Sequence, residues 1–345
     1  MKLGGFQRFG NDLYTGARSV PFIGKRRIWL SIAALMVLAA IFVPFARGGG
    51  NFAEGFNFGI EFRGGSQFIV SGTESGKNGS IDPSLATTAV HSVVPHAVVK
   101  VAIVGTDGVR VQTDQLTALQ TREVTNELKR VYNTDQVSSS FIGATWGADI
   151  TQNALRGLGV FLLFAAVLMA IYFRTWKMSA AAILALMHDL IVCIGVYALT
   201  GFEITPAAVI GFLTILGYSL YDTVVVFDKI RENTSELGDE SNRTFGEMVN
   251  LAVNQTLVRS INTGVVAALP VAAILFIGAY ILGADTLRDI SLALLVGTIL
   301  GTYSTPFVAA PLYVQFRHNE SEIRKRDKRV LSLRAKSEAK VAATV

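Results

Sequence analysis

Six long apolar stretches constrain this chain more than any other feature of its sequence. Each is close to the roughly 20 helical residues that the hydrocarbon core of a bilayer requires. The composition agrees, since 51% of the 345 residues are hydrophobic and only 17% are charged, against about 25% in typical soluble domains. We therefore predict a polytopic α-helical membrane protein with six transmembrane helices, at residues 28–46, 154–173, 179–200, 206–227, 260–282 and 290–314.

The same composition excludes several classes of protein. A disordered chain would combine low hydrophobicity with high net charge, whereas this chain carries a net charge of only +5. Its single cysteine, Cys193, excludes a disulfide framework and a cysteine-cluster metal site. The sequence also has no G-x-x-x-x-G-K-S/T phosphate loop. We expect no metal, no cofactor and no catalytic residue of an enzyme.

The positions of Lys and Arg predict the orientation of the spans, because cytoplasmic loops carry an excess of both. Residues 1–27 hold six of them and residues 317–340 hold nine, whereas residues 201–205 hold none. We therefore predict a protein of the cell membrane with both termini in the cytoplasm. Its predicted parts are a cytoplasmic segment (1–27), the first span (28–46), an extracytoplasmic domain (47–153), five further spans (154–314) and a basic cytoplasmic tail (315–345).

The first span has a second interpretation, as a secretory signal peptide that follows a basic segment. The apolar region of a signal peptide is about 7–15 residues long. The uncharged run at 28–46 is longer, and no clean cleavage site follows it. We therefore predict an uncleaved anchor.

The predicted extracytoplasmic segment has the pattern of a small α+β domain. Asp82 and Asp114 are predicted to be the N-caps of its two helices. The order βαββαβ is that of a ferredoxin-like unit. Strands are predicted at 66–71, 98–104, 109–113 and 136–142, and helices at 83–94 and 115–132.

An aromatic, glycine-rich stretch, residues 51–65, lies ahead of this domain. One interpretation is an interfacial segment that leaves the bilayer. The other is a backbone-governed turn at Gly64 and Gly65 that joins membrane and domain. The residues alone favour the first interpretation. The stretch contains Phe52, Phe56, Phe58 and Phe62 together with Gly55, Gly59, Gly64 and Gly65.

Asp222 is the main ionisable residue inside the spans, where a charge costs about 2.5–3.5 kcal/mol on insertion scales. Ser219 lies at i−3 on the same helix face. A carboxyl group here can be neutral, or ionised beside a cation, as a proton carrier requires. The alternative is a fixed ion pair that orients two helices. Gly211 and Gly217 are expected to let a neighbouring helix approach.

Arg259, at the start of the fifth span, is the predicted cation for Asp222. An arginine does not titrate, so it would hold Asp222 ionised in one conformation and release it in another. Gln255 at i−4, Asn262 at i+3 and Thr263 at i+4 give Arg259 a polar helix face. The alternative is a side chain that snorkels to the interface.

His188 and Asp189 lie in the middle of the third span. Because they are adjacent, we expect them to point to different sides of the helix and not to form a dyad with each other. Two interpretations are open. Either one of them faces the same cavity as Asp222, or both bond to neighbouring helices.

The chain resembles the SecF family, the smaller membrane subunit of the SecDF protein-export complex, in five segments: 58–65, 186–189, 215–233, 254–263 and 301–304. The segments occur in the family's order between the first span and Leu312. Three residues depart from the family pattern. Tyr221 stands where Asn is common, and Glu61 and Arg63 stand where Asp and Thr are common.

The resemblance implies a mechanism that composition does not reveal. SecF belongs to the RND-like superfamily of proton-driven machines and pairs with SecD, whose six spans form the other half. The complex assists the SecYEG channel and the SecA motor, and it couples proton entry to movement of extracytoplasmic domains that pull on the preprotein. The family's charged functional residues correspond to Asp222 and Arg259. The expected partners are SecD, SecYEG, SecA, the preprotein and the lipid bilayer, without nucleic acid.

Two rival classes are open on sequence grounds. An RND-like half-transporter that exports a small molecule or a lipid would need a substrate cavity in the outward domain. An intramembrane aspartyl protease would need Asp189 and Asp222 within water-bridging distance. No Gly-x-Gly-Asp surrounds either residue, and a nearby Arg259 would oppose a proton shared between them.

Overall fold

The computed structural model describes residues 5–73, 81–105, 107–235, 242–281 and 285–342. Within these residues, six helices are long and apolar enough to cross a bilayer. The predicted six-span architecture is therefore confirmed. The end predicted for the fifth span, at Leu282, lies outside the described residues. Helices of spanning length and apolar composition run over Arg26–Arg47, Trp146–Phe173, Trp176–Thr200, Pro206–Thr234, Phe245–Gly278 and Leu287–Arg317.

The first half of the chain forms a short N-terminal helix, the first span and a small mixed domain. A single 3₁₀ turn at Ala53–Gly55 follows the first span. The elements are α1 (Gly5–Thr15), α2 (Arg26–Arg47), β1 (Asn57–Phe58), α3 (Ile60–Arg63), β2 (Gly65–Val70), α4 (Pro83–Val93), β3 (Val99–Val104), β4 (Gly108–Thr113), α5 (Ala118–Tyr132) and β5 (Val137–Ile142).

The second half is almost entirely helical. The helix α6 begins well before the apolar stretch predicted at 154–173. The elements are α6 (Ala144–Phe173), α7 (Trp176–Thr200), β6 (Glu203–Ile204), α8 (Pro206–Ser235), α9 (Phe245–Ala273), a π-helical segment (Ile274–Ile281), α10 (Asp285–Ser304), a π-helical turn (Thr305–Ala309), α11 (Ala310–Arg317) and α12 (Ser321–Ala342).

The α+β domain, residues 65–142, has the predicted ferredoxin-like topology. Its strands form one antiparallel sheet in the order β3-β4-β2-β5, with β2 between β4 and β5. The helices α4 and α5 cover this sheet and bury its apolar side chains. The centre of the resulting core contains Phe68, Val70, Val90, Val109, Val111, Val124 and Leu128.

One of the two predicted helix caps is correct and the other is wrong. Asp82 accepts a backbone hydrogen bond of 2.9 Å at the start of α4, as predicted. The helix α5 instead begins after Thr117, which forms a capping box with Gln120. Asp114 accepts a 3.0 Å hydrogen bond from the backbone N–H of Val98. It therefore ties the start of β3 to the end of β4 and is not free to cap a helix.

The glycine-rich stretch joins the first span to the α+β domain through a defined backbone. β1 pairs in parallel with β6, and the N–H of Gly59 donates to the Ile204 carbonyl at 2.9 Å. Gly64 and Gly65 have φ values of +78° and +147°, which L side chains rarely adopt. A Cβ at Gly65 would also overlap the Thr113 carbonyl. The turn at Gly64 and Gly65 is thus governed by the backbone, as the second interpretation has it, whereas the interfacial position stays a prediction.

Close contacts between spans occur at small residues. A Cβ added at Gly211 of α8 would lie 2.6 Å from the Cβ of Ala293 in α10, as predicted for a close helix approach. In the same pair of helices, a Cβ at Gly297 would overlap the side chain of Ile215. Gly217 differs, because no heavy atom among the described residues lies within 4 Å of its added Cβ. The expectation for Gly217 stays a prediction, since no helix in the described part of this chain comes that close to it.

Two asparagines of α9 hold the segment that precedes the first span. Asn254 accepts a 2.7 Å hydrogen bond from the N–H of Val20 and donates a 3.0 Å bond to its carbonyl. Asn250 accepts a 3.1 Å hydrogen bond from the N–H of Ile23. These bonds fix the first turns of α9, the helix that carries Arg259, against the N-terminal segment.

We expect Gly297→Ala to destabilise the protein, because its new methyl group would overlap Ile215 and overpacking costs about 1–3 kcal/mol. Gly217→Ala is the matched control, since it adds the same methyl group to a helix in open space. Thermal unfolding of both variants in one detergent measures the difference. A midpoint for Gly297→Ala equal to or above that of the control would contradict the close contact.

Candidate functional site

Two aspartates are buried inside the helical bundle and form the centre of the candidate site. Asp189 on α7 is 2% exposed and Asp222 on α8 is 5% exposed. A charge in such a place is costly unless a partner compensates it. The arrangement of hydrogen-bond donors around each carboxyl group therefore decides what each can do.

Asp189 is surrounded by donors. Its Oδ2 accepts hydrogen bonds of 2.6 Å from the hydroxyls of Ser219 and Ser304, and its Oδ1 lies 3.1 Å from Nδ1 of His188. Ser219 belongs to α8 and Ser304 ends α10. The carboxyl group of Asp189 thus links three spans, α7, α8 and α10.

The contact between His188 and Asp189 corrects one prediction. We expected adjacent residues to diverge around the helix, but their side-chain tips meet. Both side chains are buried, and both turn into the crevice that α7 forms with its neighbours. The open question about these two residues is answered for Asp189, which bonds to the neighbouring helices.

The other edge of the histidine faces an aromatic ring. The ring centroids of His188 and Tyr303 lie 6.3 Å apart. Nε2 of His188 and the hydroxyl of Tyr303 are buried and have no hydrogen-bond partner among the described residues. One nitrogen of His188 therefore orients Asp189, and the other has no hydrogen-bond partner in the described part of the chain.

Asp222 has far fewer partners than Asp189. Its Oδ1 accepts a 2.8 Å hydrogen bond from the hydroxyl of Ser260 on α9. Its Oδ2 is buried and has no hydrogen-bond partner within the described part of the chain. Beside it, the hydroxyls of Thr223 and Thr305 lie 3.2 Å apart. Asp222 is therefore the carboxyl group that can exchange partners.

Arg259 and Asp222 are close in position but not in direct contact. Arg259 precedes Ser260 in α9, and Ser260 bonds to Asp222. The side chain of Arg259 is exposed, and within the described residues it donates no hydrogen bond to either oxygen of Asp222. The predicted pairing is not made in this conformation and stays a prediction.

The predicted polar face around Arg259 divides in the structure. Gln255 accepts a 2.9 Å hydrogen bond from the amide of Asn233 and donates a 3.2 Å bond to the Tyr14 carbonyl, so it ties α9 to α8 and α1. Asn262 is exposed, like Arg259. Gln255 is thus a structural link, whereas Asn262 and Arg259 lie on the outer face of α9.

Four hydroxyl residues of the site were missed by the sequence interpretation: Thr223, Ser260, Ser304 and Thr305. Thr223, Ser260 and Ser304 belong to the resembling segments, so a signal was present. Ser260 directly follows Arg259, and only the charged residue of this pair was predicted to belong to the site. Hydroxyls in apolar helices often bond only to their own backbone, so their positions alone do not predict a site.

A metal site would need several His, Cys, Asp or Glu side chains in one place. Among the described residues, no cluster of three or more His, Cys, Asp or Glu side chains has the required arrangement. What the geometry provides is one firmly bonded carboxyl group beside one loosely bonded carboxyl group. The fold and the site define a polytopic membrane protein with a polar, carboxyl-bearing centre and a ferredoxin-like domain at one end.

Comparisons with known proteins identify the family. Residues 123–319 match the family described as "Protein export membrane protein SecD/SecF, C-terminal", and residues 52–73 match the "SecD/SecF GG Motif". The second match contains Gly59, Gly64 and Gly65. The chain belongs to the SecF family of protein translocase subunits.

Two relatives illustrate the extent of the similarity. Protein translocase subunit SecF of Streptomyces coelicolor is 39% identical over 333 residues, which cover 96% of this chain and 86% of that protein. Protein translocase subunit SecF of Mycobacterium tuberculosis strain H37Rv is 39% identical over 342 residues, 96% of this chain and 74% of that protein. These names favour a translocase subunit over an RND-like half-transporter.

The fold also matches a solved structure. SecDF from Thermus thermophilus, described as a translocon-associated membrane protein, aligns with a TM-score of 0.68 and 30% sequence identity over 88% of this chain. The alignment covers 39% of that SecDF chain, so this chain spans about two fifths of its length. The SecDF proteins, which are longer and carry both names, support pairing of this chain with a SecD subunit.

We expect Ser304→Ala to destabilise the bundle, because it removes a donor from the buried Asp189 and a lost partner of this kind costs about 1–3 kcal/mol. Ser291→Ala is the control, since the Ser291 hydroxyl bonds only to carbonyls of its own helix. Thermal unfolding of the purified protein compares the two. Equal midpoints would show that the bond between Ser304 and Asp189 does not hold the spans together.

Proposed function

We propose that this chain, together with SecD, uses the proton-motive force to promote late steps of protein export across the cytoplasmic membrane. It would act on a preprotein that the SecA motor and the SecYEG channel are moving. The observation that carries the proposal is the carboxyl group of Asp222 in a SecF-family protein. It is buried in the bundle and, among the described residues, has one hydrogen-bond donor and one unpartnered oxygen.

The orientation follows from the distribution of charge. The basic N-terminal segment is bound to the start of α9 through Asn250 and Asn254. The basic helix α12 packs at the same end, where Asp327 accepts a 2.8 Å hydrogen bond from the N–H of Phe245. Basic segments collect on the cytoplasmic side. We therefore place both termini in the cytoplasm and the α+β domain outside.

The proposed energy source is the proton-motive force. The sequence has no phosphate loop, whereas one elementary charge that crosses about 100 mV provides about 2.3 kcal/mol. This is enough to shift two conformations that differ by a few kcal/mol. A single titrating carboxyl group in the bundle can therefore supply the switch.

Asp222 has the partners that such a switch needs. A protonated carboxyl group carries no charge, so an oxygen without a partner costs less in this state than in the ionised one. An ionised one leaves a buried, unpartnered oxygen beside the charge, which is unfavourable inside a membrane protein. Arg259 precedes Ser260, so a small movement of α9 or of the guanidinium group would provide the missing cation. The two proposed states are Asp222 protonated and bonded to Ser260, and Asp222 ionised and paired with Arg259.

Asp189 supplies the fixed frame for this switch. Its bonds to Ser219 and Ser304 hold α8 and α10 to α7. The π-helical turn Thr305–Ala309 follows directly, and such irregular turns are frequent at functional sites. A rearrangement at Asp222 is thus carried by α9 against the anchored spans α7, α8 and α10.

The outer face of α9 is where we place the SecD subunit. Arg259 and Asn262 are exposed there, beside the exposed apolar residues Val265, Val266 and Leu269. Polar side chains in a span usually face protein or a wet cavity, because contact with lipid is costly. A partner with a complementary polar group would compensate them.

We expect Asp222→Asn to abolish proton-driven stimulation of export, because the amide keeps the shape of the side chain but cannot titrate. Asp228→Asn is the matched control, an exposed aspartate on the same helix. Translocation of a preprotein into membrane vesicles, with and without an imposed proton gradient, is the measurement. Gradient-dependent stimulation of Asp222→Asn at the wild-type level would refute the proposed carrier.

Arg259→Lys is expected to retain part of the stimulation in the same assay. Lysine keeps the positive charge but lacks the planar fork that binds a carboxylate through two donors. Arg259→Gln, which removes the charge, should lose as much activity as Asp222→Asn. If Arg259→Gln behaves like the wild-type protein, Arg259 is not the cation of the switch.

A further inference from the structure

A second group of charged residues lies where the α+β domain meets the membrane helices. Arg110 on β4 and Glu203 on β6 form an ion pair with Nη2 and Oε2 3.5 Å apart. Their side chains are only 11% and 13% exposed, unlike an ordinary surface pair. Arg110 belongs to the domain, and Glu203 lies between two spans. The pair therefore connects the two parts of the molecule directly.

Glu61 is the third member of this group. It lies on α3, in the glycine-rich stretch, and its Oε2 is buried without a hydrogen-bond partner among the described residues. Oε1 of Glu203 is likewise buried and has no hydrogen-bond partner among these residues. A Cβ at Gly59 would overlap Oε2 of Glu61, so the glycine leaves the space that this carboxyl group occupies. Glu61 lies close enough to Arg110 and Glu203 to interact with both electrostatically.

The surroundings make the charge of Glu61 sensitive to its neighbours. Burial raises the pKa of Glu61, the nearby Glu203 raises it further, and Arg110 lowers it less than burial raises it. Burial and the nearby Arg63 lower the pKa of Lys100 on β3, and the nearby Glu203 raises it by less.

The remaining charged neighbours come from α10. Arg288 and Asp289 lie 3.7 Å apart, Nε to Oδ1, and Asp289 accepts a 2.9 Å hydrogen bond from the hydroxyl of Thr205. A cavity of about 180 Å³ separates this end of α10 from the sheet, with Lys100, Arg110, Glu203 and Arg288 in its wall. The charged groups that face Glu61 and its partners are therefore Arg63, Lys100, Arg110, Glu203, Arg288 and Asp289.

Glu203 lies between the α+β domain and the membrane helix α8. Glu203 pairs with Asn57 in the β1–β6 ladder, and β1 leads through α3 into the first strand of the domain. Immediately after β6, Pro206 begins α8, the helix that carries Asp222. Only Ile204 and Thr205 separate Glu203 from α8, so Glu203 links this helix to Arg110 of the domain.

We propose that Glu61, Glu203 and Arg110 form a proton-sensitive joint that docks the α+β domain on the membrane helices when Glu61 is protonated and loosens when Glu61 ionises. Its role in export rests on the proposed function, but the docking itself does not. In the protonated state, the Glu61 hydroxyl can donate to a carboxylate oxygen, and Arg110 is left to Glu203 alone. In the ionised state, two carboxylates repel each other across one arginine.

The direction of the pH dependence follows from the raised pKa of Glu61 in the docked state. A group whose pKa is raised on docking stabilises that state fully below its undocked pKa. The stabilisation is lost as the pH rises through the docked pKa. The joint should therefore be tight when the outer side is acidic and loose when it is alkaline.

The test measures distances in the complex with SecD, reconstituted in nanodiscs. Cys193→Ala removes the native cysteine, and spin labels at Leu119→Cys on α5 and Leu199→Cys at the end of α7 report the separation of domain and membrane helices. Both positions are exposed. We expect one narrow distance population at acidic pH and a growing longer-distance population as the pH is raised. A distribution that does not change with pH would overturn the proposal.

Two variants separate the contributions. Glu61→Gln cannot ionise, so it should keep the short distance at every pH. Arg110→Gln leaves two carboxyl groups without their cation, so it should increase the long-distance population. Arg130→Gln is the matched control, since Arg130 forms a 2.8 Å exposed ion pair with Glu127 in the same domain. The proposal fails if Glu61→Gln retains the pH dependence of the wild-type protein, or if Arg110→Gln has no more effect than the control.

The vesicle export assay distinguishes this proposal from the proposed function. Distances that follow the pH while Asp222→Asn still exports normally would leave the joint in place and refute the carrier. At alkaline pH, Glu61→Gln could instead show the same long-distance population as the wild-type protein, while Asp222→Asn loses export. That combination would refute the joint and leave the proposed function standing.

Discussion

The hydrogen bonds to Asp189 are the interaction on which the membrane part of this structure depends. One carboxyl group in α7 receives a hydroxyl from α8 and another from the end of α10, both at 2.6 Å. Apolar contacts alone discriminate weakly between helix registers in a bilayer, where lipid is as apolar as the helix surface. A buried carboxyl group that must keep its donors fixes the three spans in one arrangement.

Asp222 gains its significance from the contrast with Asp189. The two aspartates lie in the same bundle, yet among the described residues Asp189 has three partners and Asp222 has a single hydroxyl and an unpartnered oxygen. Satisfied polar networks rigidify their surroundings, whereas an unpaired buried polar group is costly, so Asp222 gains from a change of partner. Arg259 is adjacent to the Ser260 that bonds to Asp222, so it is the proposed new partner of this carboxyl group. Because Arg259 is exposed on the face where we place SecD, a change at Asp222 can reach that subunit.

Much of this architecture is predictable from the sequence, because it depends on patterns of a few residues. Apolar length locates the spans, and alternating strands with capped helices give the ferredoxin-like domain. Asp222 and Asp189 are conspicuous because charge is scarce in the spans. The contact of His188 with Asp189, the hydroxyl donors Ser260 and Ser304, and the pairing of Glu203 with Arg110 depend on how distant segments meet. No local pattern encodes those distances, and the bond of Asp114 to the distant Val98 is unpredictable for the same reason. The capping box of Thr117 and Gln120, by contrast, is a local signal that the sequence contains.

The central claim is that the carboxyl group of Asp222 changes its protonation state when a proton gradient acts on the complex. Infrared difference spectroscopy of the reconstituted complex with SecD measures this directly, since protonated carboxyl groups have a separate carbonyl stretching band. We predict that a change of pH on one side alters this band in the wild-type protein and in Asp189→Asn, and that Asp222→Asn lacks the change. An unaltered difference band in Asp222→Asn would contradict the account.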